Sequence, residues 1–167
     1  MIYRNFGASL GKKWIHSGLS GPRTKRGLKS FMDIRPITPT YAVSPQIDPS
    51  DLPSIAVAGY KTIICNRPDA ENPPHMQASA MKEAAKNAGI ALEFLPLTHQ
   101  TMTPENIAKQ FEIVANAGTP VLAYCASGTR CSVVWALSQA GKQSADAILE
   151  QTSKAGYDLS GLRGALG

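Results

Sequence analysis

Nowhere does the chain hold an uninterrupted apolar run near the ~18 residues that a membrane-spanning helix needs. A helical span is therefore excluded, and a soluble, cytoplasmic protein is expected. Cysteine is scarce. The three present, Cys65, Cys125 and Cys131, form neither a zinc spacing nor a secreted disulfide framework, so reduced thiols are expected. The three histidines, His16, His75 and His99, lack any paired ligand spacing, and neither a metal nor another cofactor is expected.

Acidic residues are missing altogether from positions 1 to 32, where seven of the 17 basic side chains lie. The remainder carries 10 basic and 12 acidic residues, a formal −2 against the whole-chain +5. The basic character thus belongs to a tail. Residues 1–31 are expected to be a solvated, disordered extension rather than a nucleic-acid arm, and residues 32–167 a single domain.

In that domain a pattern recurs: a helical stretch stops at a glycine and a short apolar strand follows. Gly59 precedes Thr62–Cys65, Gly89 precedes Ile90–Leu95, and Gly118 precedes Val121–Tyr124. The expected fold is α/β, a mostly parallel sheet of four to five strands flanked by helices. Tyr41-Ala42-Val43 reads as an edge strand. Helices are expected from about His75 to Asn87, with Ala80, Ala84 and Ala88 as a stripe, and from Pro104, capped by Thr103. Ile107, Phe111 and Val114 share a face of the latter. Further helices are expected near residues 130–140, 144–155 and 158–166. Sites in such sheets lie beyond the carboxyl ends of the strands. That rule gathers the loops Asn66 to Pro74, Pro96 to Thr103 and Cys125 to Arg130.

The last loop carries the chemistry. Cys125-Ala126-Ser127-Gly128-Thr129-Arg130 joins an apolar strand to a helix-like stretch. Backbone N–H groups of Ala126, Ser127, Gly128, Thr129 and Arg130, with the helix dipole behind them, would cradle an oxyanion and depress a thiol pKa. Arg130 adds a forked cationic donor. Two chemistries use such a loop. Tyrosine-phosphatase-like enzymes place five residues between Cys and Arg, and rhodanese-type sulfurtransferases often use a loop one residue shorter. Four residues intervene here.

The stretch from Met32 to Leu166 resembles the phosphatase-like domain of the bacterial beta-lactamase-hydrolase-like family, relatives of dual-specificity phosphatases. The matching pieces are Met32-Asp33-Ile34-Arg35, Tyr41 to Ile47, Asn66-Arg67-Pro68-Asp69-Ala70-Glu71, the Cys125 loop, and Ala155-Gly156-Tyr157-Asp158-Leu159. The resemblance aligns Met32 with the usual domain start. It implies a dual-specificity-phosphatase-like fold, Cys125 as nucleophile and Arg130 as oxyanion clamp. The chain departs from the phosphatase pattern at Tyr124, where a His commonly stands, in loop length, and at Cys131, where a Ser or Thr usually assists the thiolate.

The expected reaction is hydrolysis of a phosphate monoester, on a small molecule or a protein, through a phosphocysteine. The loop from Pro96 to Thr103 lacks the usual aspartate, so His99, whose side-chain type titrates near ~6.5, and Asp69 are the candidate general acids. A sulfurtransferase forming a persulfide on Cys125 needs no such acid and is the alternative. A third reading is an anion-binding or redox-sensing module in which Cys65 or Cys131 traps oxidised Cys125.

Overall fold

The structure, a computed structural model, describes residues 32–167; the expected basic extension lies outside the described residues. A five-stranded sheet forms its centre, in the order β1 (Arg35–Thr38), β2 (Tyr41–Ser44), β5 (Val121–Tyr124), β3 (Thr62–Cys65), β4 (Ala91–Phe94). All neighbours run parallel except β1 and β2. The α/β reading holds. Strand β5 and its neighbour β2 are buried at every position, as continuous apolar strands covered on both faces must be.

One expectation is corrected. Tyr41-Ala42-Val43 is not an edge strand, because β1 pairs outside it. Pro36 within β1 and Pro39 just beyond it argue against a strand locally, yet proline is tolerated where one side of the ladder faces solvent.

Helices α1 (Leu52–Val57), α2 (Ala78–Asn87), α3 (Pro104–Asn116), α4 (Thr129–Gln139), α5 (Ala145–Lys154) and α6 (Arg163–Leu166) cover the sheet. Gly59, Gly89 and Gly118 all take the positive φ of helix-stopping glycines. Helix α2 begins later than His75, since Pro73-Pro74 supports only a 3₁₀ turn, Pro74–Met76, before it. Its buried face is Met81 and Ala85, with Ala80, Ala84 and Ala88 half-buried beside it. The 158–166 segment divides into a 3₁₀ turn and α6. Thr103 caps α3 through the Asn106 N–H, as expected.

The fully buried residue of α3 is polar. Gln110 accepts from the Asn66 side chain at 2.7 Å and donates to the Tyr41 hydroxyl at 2.9 Å. Tyr41 in turn donates to the Cys131 carbonyl at 3.0 Å. A relay of buried hydrogen bonds thereby ties the end of β3, α3 and β2 to the first turn of α4. Gln110 and the Tyr41 hydroxyl each both accept and donate within the relay, while the Asn66 side-chain oxygen is buried without a partner.

Candidate active site

Strand register fixes where the site forms. Ser44, Tyr124, Cys65 and Phe94 stand abreast on β2, β5, β3 and β4, so the chain leaves all four strands at one end of the sheet. Cys125 follows the central strand directly and is 1% exposed. Its N–H donates to the Ser44 carbonyl at 3.4 Å, and the Ala126 carbonyl accepts from Gln46 N–H at 3.3 Å. The loop is pinned at both ends of that dipeptide, to the last residue of β2 and to Gln46 just beyond it.

Beyond Ala126 the chain turns through Gly128, which sits at the N-terminus of α4 with φ +85°. A Cβ there would stand 2.1 Å from the Tyr157 hydroxyl, so only glycine fits, on steric as well as conformational grounds. Tyr157 donates to the Ser127 carbonyl at 3.1 Å, and the Arg35 guanidinium lies 5.2 Å from its ring centre. Two segments that sequence comparison alone left without a task, Met32 to Arg35 and Ala155 to Leu159, thus meet behind the loop as its outer support.

The Gly128 N–H donates to the Cys125 sulfur at 3.1 Å. The Cys125 thiol is brought down to about 5, chiefly by the Cys131 thiol donating to its sulfur, with help from backbone N–H groups of Ser127, Cys131 and Arg130; burial works in the opposite direction. Cys131 stands at the position that the phosphatase pattern gives to a Ser or Thr. Its own thiol is pushed far up by burial and by the neighbouring sulfur. A group poised near 5 is thiolate by about a hundred to one at pH 7.

Arg130 points away from α4 into a fork with Glu71. One nitrogen lies 3.0 Å from one carboxylate oxygen and the other 2.6 Å from its partner, while the Leu97 carbonyl takes a further N–H at 2.9 Å. Glu71 is held below the usual carboxylate range, first by Arg130 and then by Arg67, which also donates to the Glu71 carbonyl and to Gln46. Ser127, Thr129 and Arg130 open onto a cleft of about 650 Å³ that Thr98, His99 and Gln100 also line.

The structure brings together most of the residues that the sequence singled out. His99 faces the cleft with Arg130. Asp69 does not line it; its carboxylate accepts the Ala78 N–H at 2.7 Å and caps α2. Cys65 ends β3 beside β5, as expected, and donates to the Arg67 carbonyl at 3.4 Å. Burial raises its pKa. All three cysteines are free and buried, and Cys131 is the one that lowers the Cys125 pKa. No group of three or more metal-ligating side chains occurs among the described residues, nor any helix long and apolar enough to cross a membrane. Sequence reasoning missed Glu71 as the partner of Arg130, along with Gln110 and Tyr157. Gln110 had a visible signal, since it stands on the apolar face between Ile107 and Val114.

A mostly parallel sheet, a central strand delivering a cysteine of lowered pKa, and an arginine at the first turn of the next helix make up a phosphatase-like fold. Residues 33–142 match the family described as "Beta-lactamase hydrolase-like protein, phosphatase-like domain", and the chain belongs to that family. It is 32% identical over 130 residues to a beta-lactamase hydrolase-like protein of Xylella fastidiosa strain Temecula1, covering 77% of this chain and 30% of the relative. The chain therefore spans less than a third of that relative's length. Its fold is similar to that of a candidate phosphatase from Neisseria meningitidis, with TM-score 0.71, 33% identity, and coverage of 81% of this chain and 96% of the other. P. aeruginosa TpbA in complex with pTyr shares the fold at TM-score 0.56 and 16% identity, over 86% of this chain and 98% of the other.

Proposed function

We propose that this domain hydrolyses phosphate monoesters through a phosphocysteine on Cys125. The observation that carries the reading is the Cys125 thiol brought down to about 5 at the mouth of a helix, beside a forked Arg130. The Cys125 sulfur attacks phosphorus in line, the P–S bond forms and the P–O bond to the leaving group breaks. Backbone N–H groups from Ala126 to Arg130 and the Arg130 guanidinium hold the three equatorial oxygens as charge shifts among them.

His99 supplies the proton to the departing oxygen. It lines the cleft, whereas the Asp69 carboxylate is committed to the start of α2 and Glu71 to Arg130. In the second step water attacks phosphorus, the P–S bond breaks, the thiolate returns and His99 takes up the water proton. Glu71 acts as a positioning residue: it fixes two of the guanidinium nitrogens and so sets the orientation of the rest. A phosphorylated small molecule or protein is the substrate class, in line with the pTyr bound by TpbA.

One feature also favours sulfur transfer. Glu71 is the carboxylate lining the cleft, and it is engaged by Arg130. A persulfide on Cys125, passed to an external thiol or cyanide, would require no proton donor. A paired assay separates the readings. Purified protein and its Cys125→Ser variant are followed for hydrolysis of an aryl phosphate and for thiocyanate formed from thiosulfate and cyanide. Phosphate release that disappears in the variant, with no thiocyanate, is the expected result. Cys125-dependent thiocyanate without phosphate release would overturn it. Silence in both arms would leave an anion-binding or redox-sensing module, with Cys131 or Cys65 as the partner thiol.

A further inference from the structure

The cleft beside the catalytic loop is too large and too apolar to be explained by phosphate alone. Its volume of about 650 Å³ lies in the range of organic-ligand pockets rather than ion cradles. Ser127, Thr129 and Arg130 of the loop line it together with Met102, Val133, Leu137 and Leu162. Val133 and Leu137 are one turn apart on α4 and so share a face. Met102 comes from the β4–α3 connection and Leu162 from the turn before α6. All four are half-buried and pack against the core, so the wall is fixed in shape while still open to the cleft.

The charges of the cleft point the same way. Among the described residues lining it, Arg130 is the one permanent cation, and it is paired with Glu71. A second or third phosphate on a substrate would find no further cation there to offset its desolvation.

We propose that the cleft selects a single phosphate ester of an apolar organic group, and that Met102, Val133, Leu137 and Leu162 form the wall that receives that group. The inference rests on the phosphatase reading of Cys125 and adds the substrate class to it. Val133 of this wall stands three residues beyond Arg130, and Met102 three residues beyond His99 in the β4–α3 connection. A leaving group protonated by His99 therefore lies against it.

The test compares phenyl and 2-naphthyl phosphate with wild type, Val133→Thr and Leu162→Ser. Val133→Thr keeps the side-chain volume and Leu162→Ser falls at the end of a short 3₁₀ turn outside the main helices; thermal melting confirms that each is folded. In wild type kcat/KM is expected to be at least about tenfold higher for the naphthyl ester, through KM. That preference shrinks toward one in both variants, and inositol hexakisphosphate competes no better than inorganic phosphate. Equal kcat/KM for the two esters, a preference untouched by both variants, or tight competition by the hexakisphosphate would each overturn the proposal. If wild type hydrolyses neither ester, the catalytic reading fails and the wall is judged by calorimetry. Naphthyl phosphonate must then bind the Cys125→Ser protein more tightly than phenyl phosphonate, and lose that advantage with Val133→Thr, or the wall fails too.

Discussion

Arg130 and Glu71, 59 residues apart in sequence, meet as a two-pronged ion pair at 3.0 and 2.6 Å. Both are partly exposed, so the pair adds little to stability; the worth of the contact is geometric. An arginine already turned and held requires less ordering when an oxyanion arrives.

Glu71→Gln keeps one prong and loses the charge. Its kcat/KM on an aryl phosphate is expected to fall about tenfold to a hundredfold, with kcat carrying more of the loss than KM. Arg130→Lys, which cannot fork, should fall further. Unchanged kinetics in Glu71→Gln would remove the positioning role.

The titration of Cys125 offers a second test. Alkylation of Cys125 by iodoacetamide should rise with a midpoint near pH 5 and level off by neutrality. Cys131→Ala removes the leading donor and moves the midpoint up, whereas Cys131→Ser restores it. The sign for stability follows. A thiol whose pKa falls on folding stabilises the native state fully above its unfolded value, and that contribution is lost as pH drops through about 5. Chemical denaturation of wild type and Cys125→Ala should therefore converge below that pH.

His99 and Asp69 can be separated by leaving group. With phenyl phosphate, whose phenoxide needs a proton, His99→Ala should lose about a hundredfold in kcat. With p-nitrophenyl phosphate the loss should be far smaller. Asp69→Asn should instead lower the melting temperature, since it weakens the cap on Ala78, and leave the leaving-group dependence intact.

Gly128→Ala should abolish activity, because its Cβ would meet the Tyr157 hydroxyl. Combined with Tyr157→Phe, which removes that oxygen, the damage should be less than the sum of the two single changes. Strict additivity in this double-mutant cycle would contradict the contact.

The buried relay predicts a stability effect remote from the cleft. Gln110→Leu leaves the Tyr41 hydroxyl and the Asn66 amide short of partners and should cost about 1–3 kcal/mol. Denaturant unfolding measures it directly.

What the sequence disclosed and what it hid divide along the range of the interactions. Thr103 before Pro104, glycine after each helix and the strand-to-helix passage at Cys125 are local signals, and each is found in the structure. Strand β1 escaped because Pro36 and Pro39 argue against a strand locally, while its pairing with β2 is a tertiary matter. Asp69 looked available for catalysis because its partner, Ala78 N–H, lies nine residues away across an irregular turn. Glu71 was visible as a neighbour of Arg67, four residues back, but its partnership with Arg130 depends on how β3 and β5 lie abreast. Cys131 was visible in the sequence as a departure from the Ser or Thr of the phosphatase pattern, whereas the burial that keeps its thiol protonated is a tertiary property.

The clasp formed by Arg35, Tyr157 and the Ser127 carbonyl joins the two extremities of the described domain at one spot. Fraying at either extremity is therefore felt in the Cys125 loop. A chain trimmed ahead of Tyr157 loses both the hydroxyl that holds the Ser127 carbonyl and the buried Leu159 and Leu166, and amide exchange in the loop reports the integrity of both extremities together.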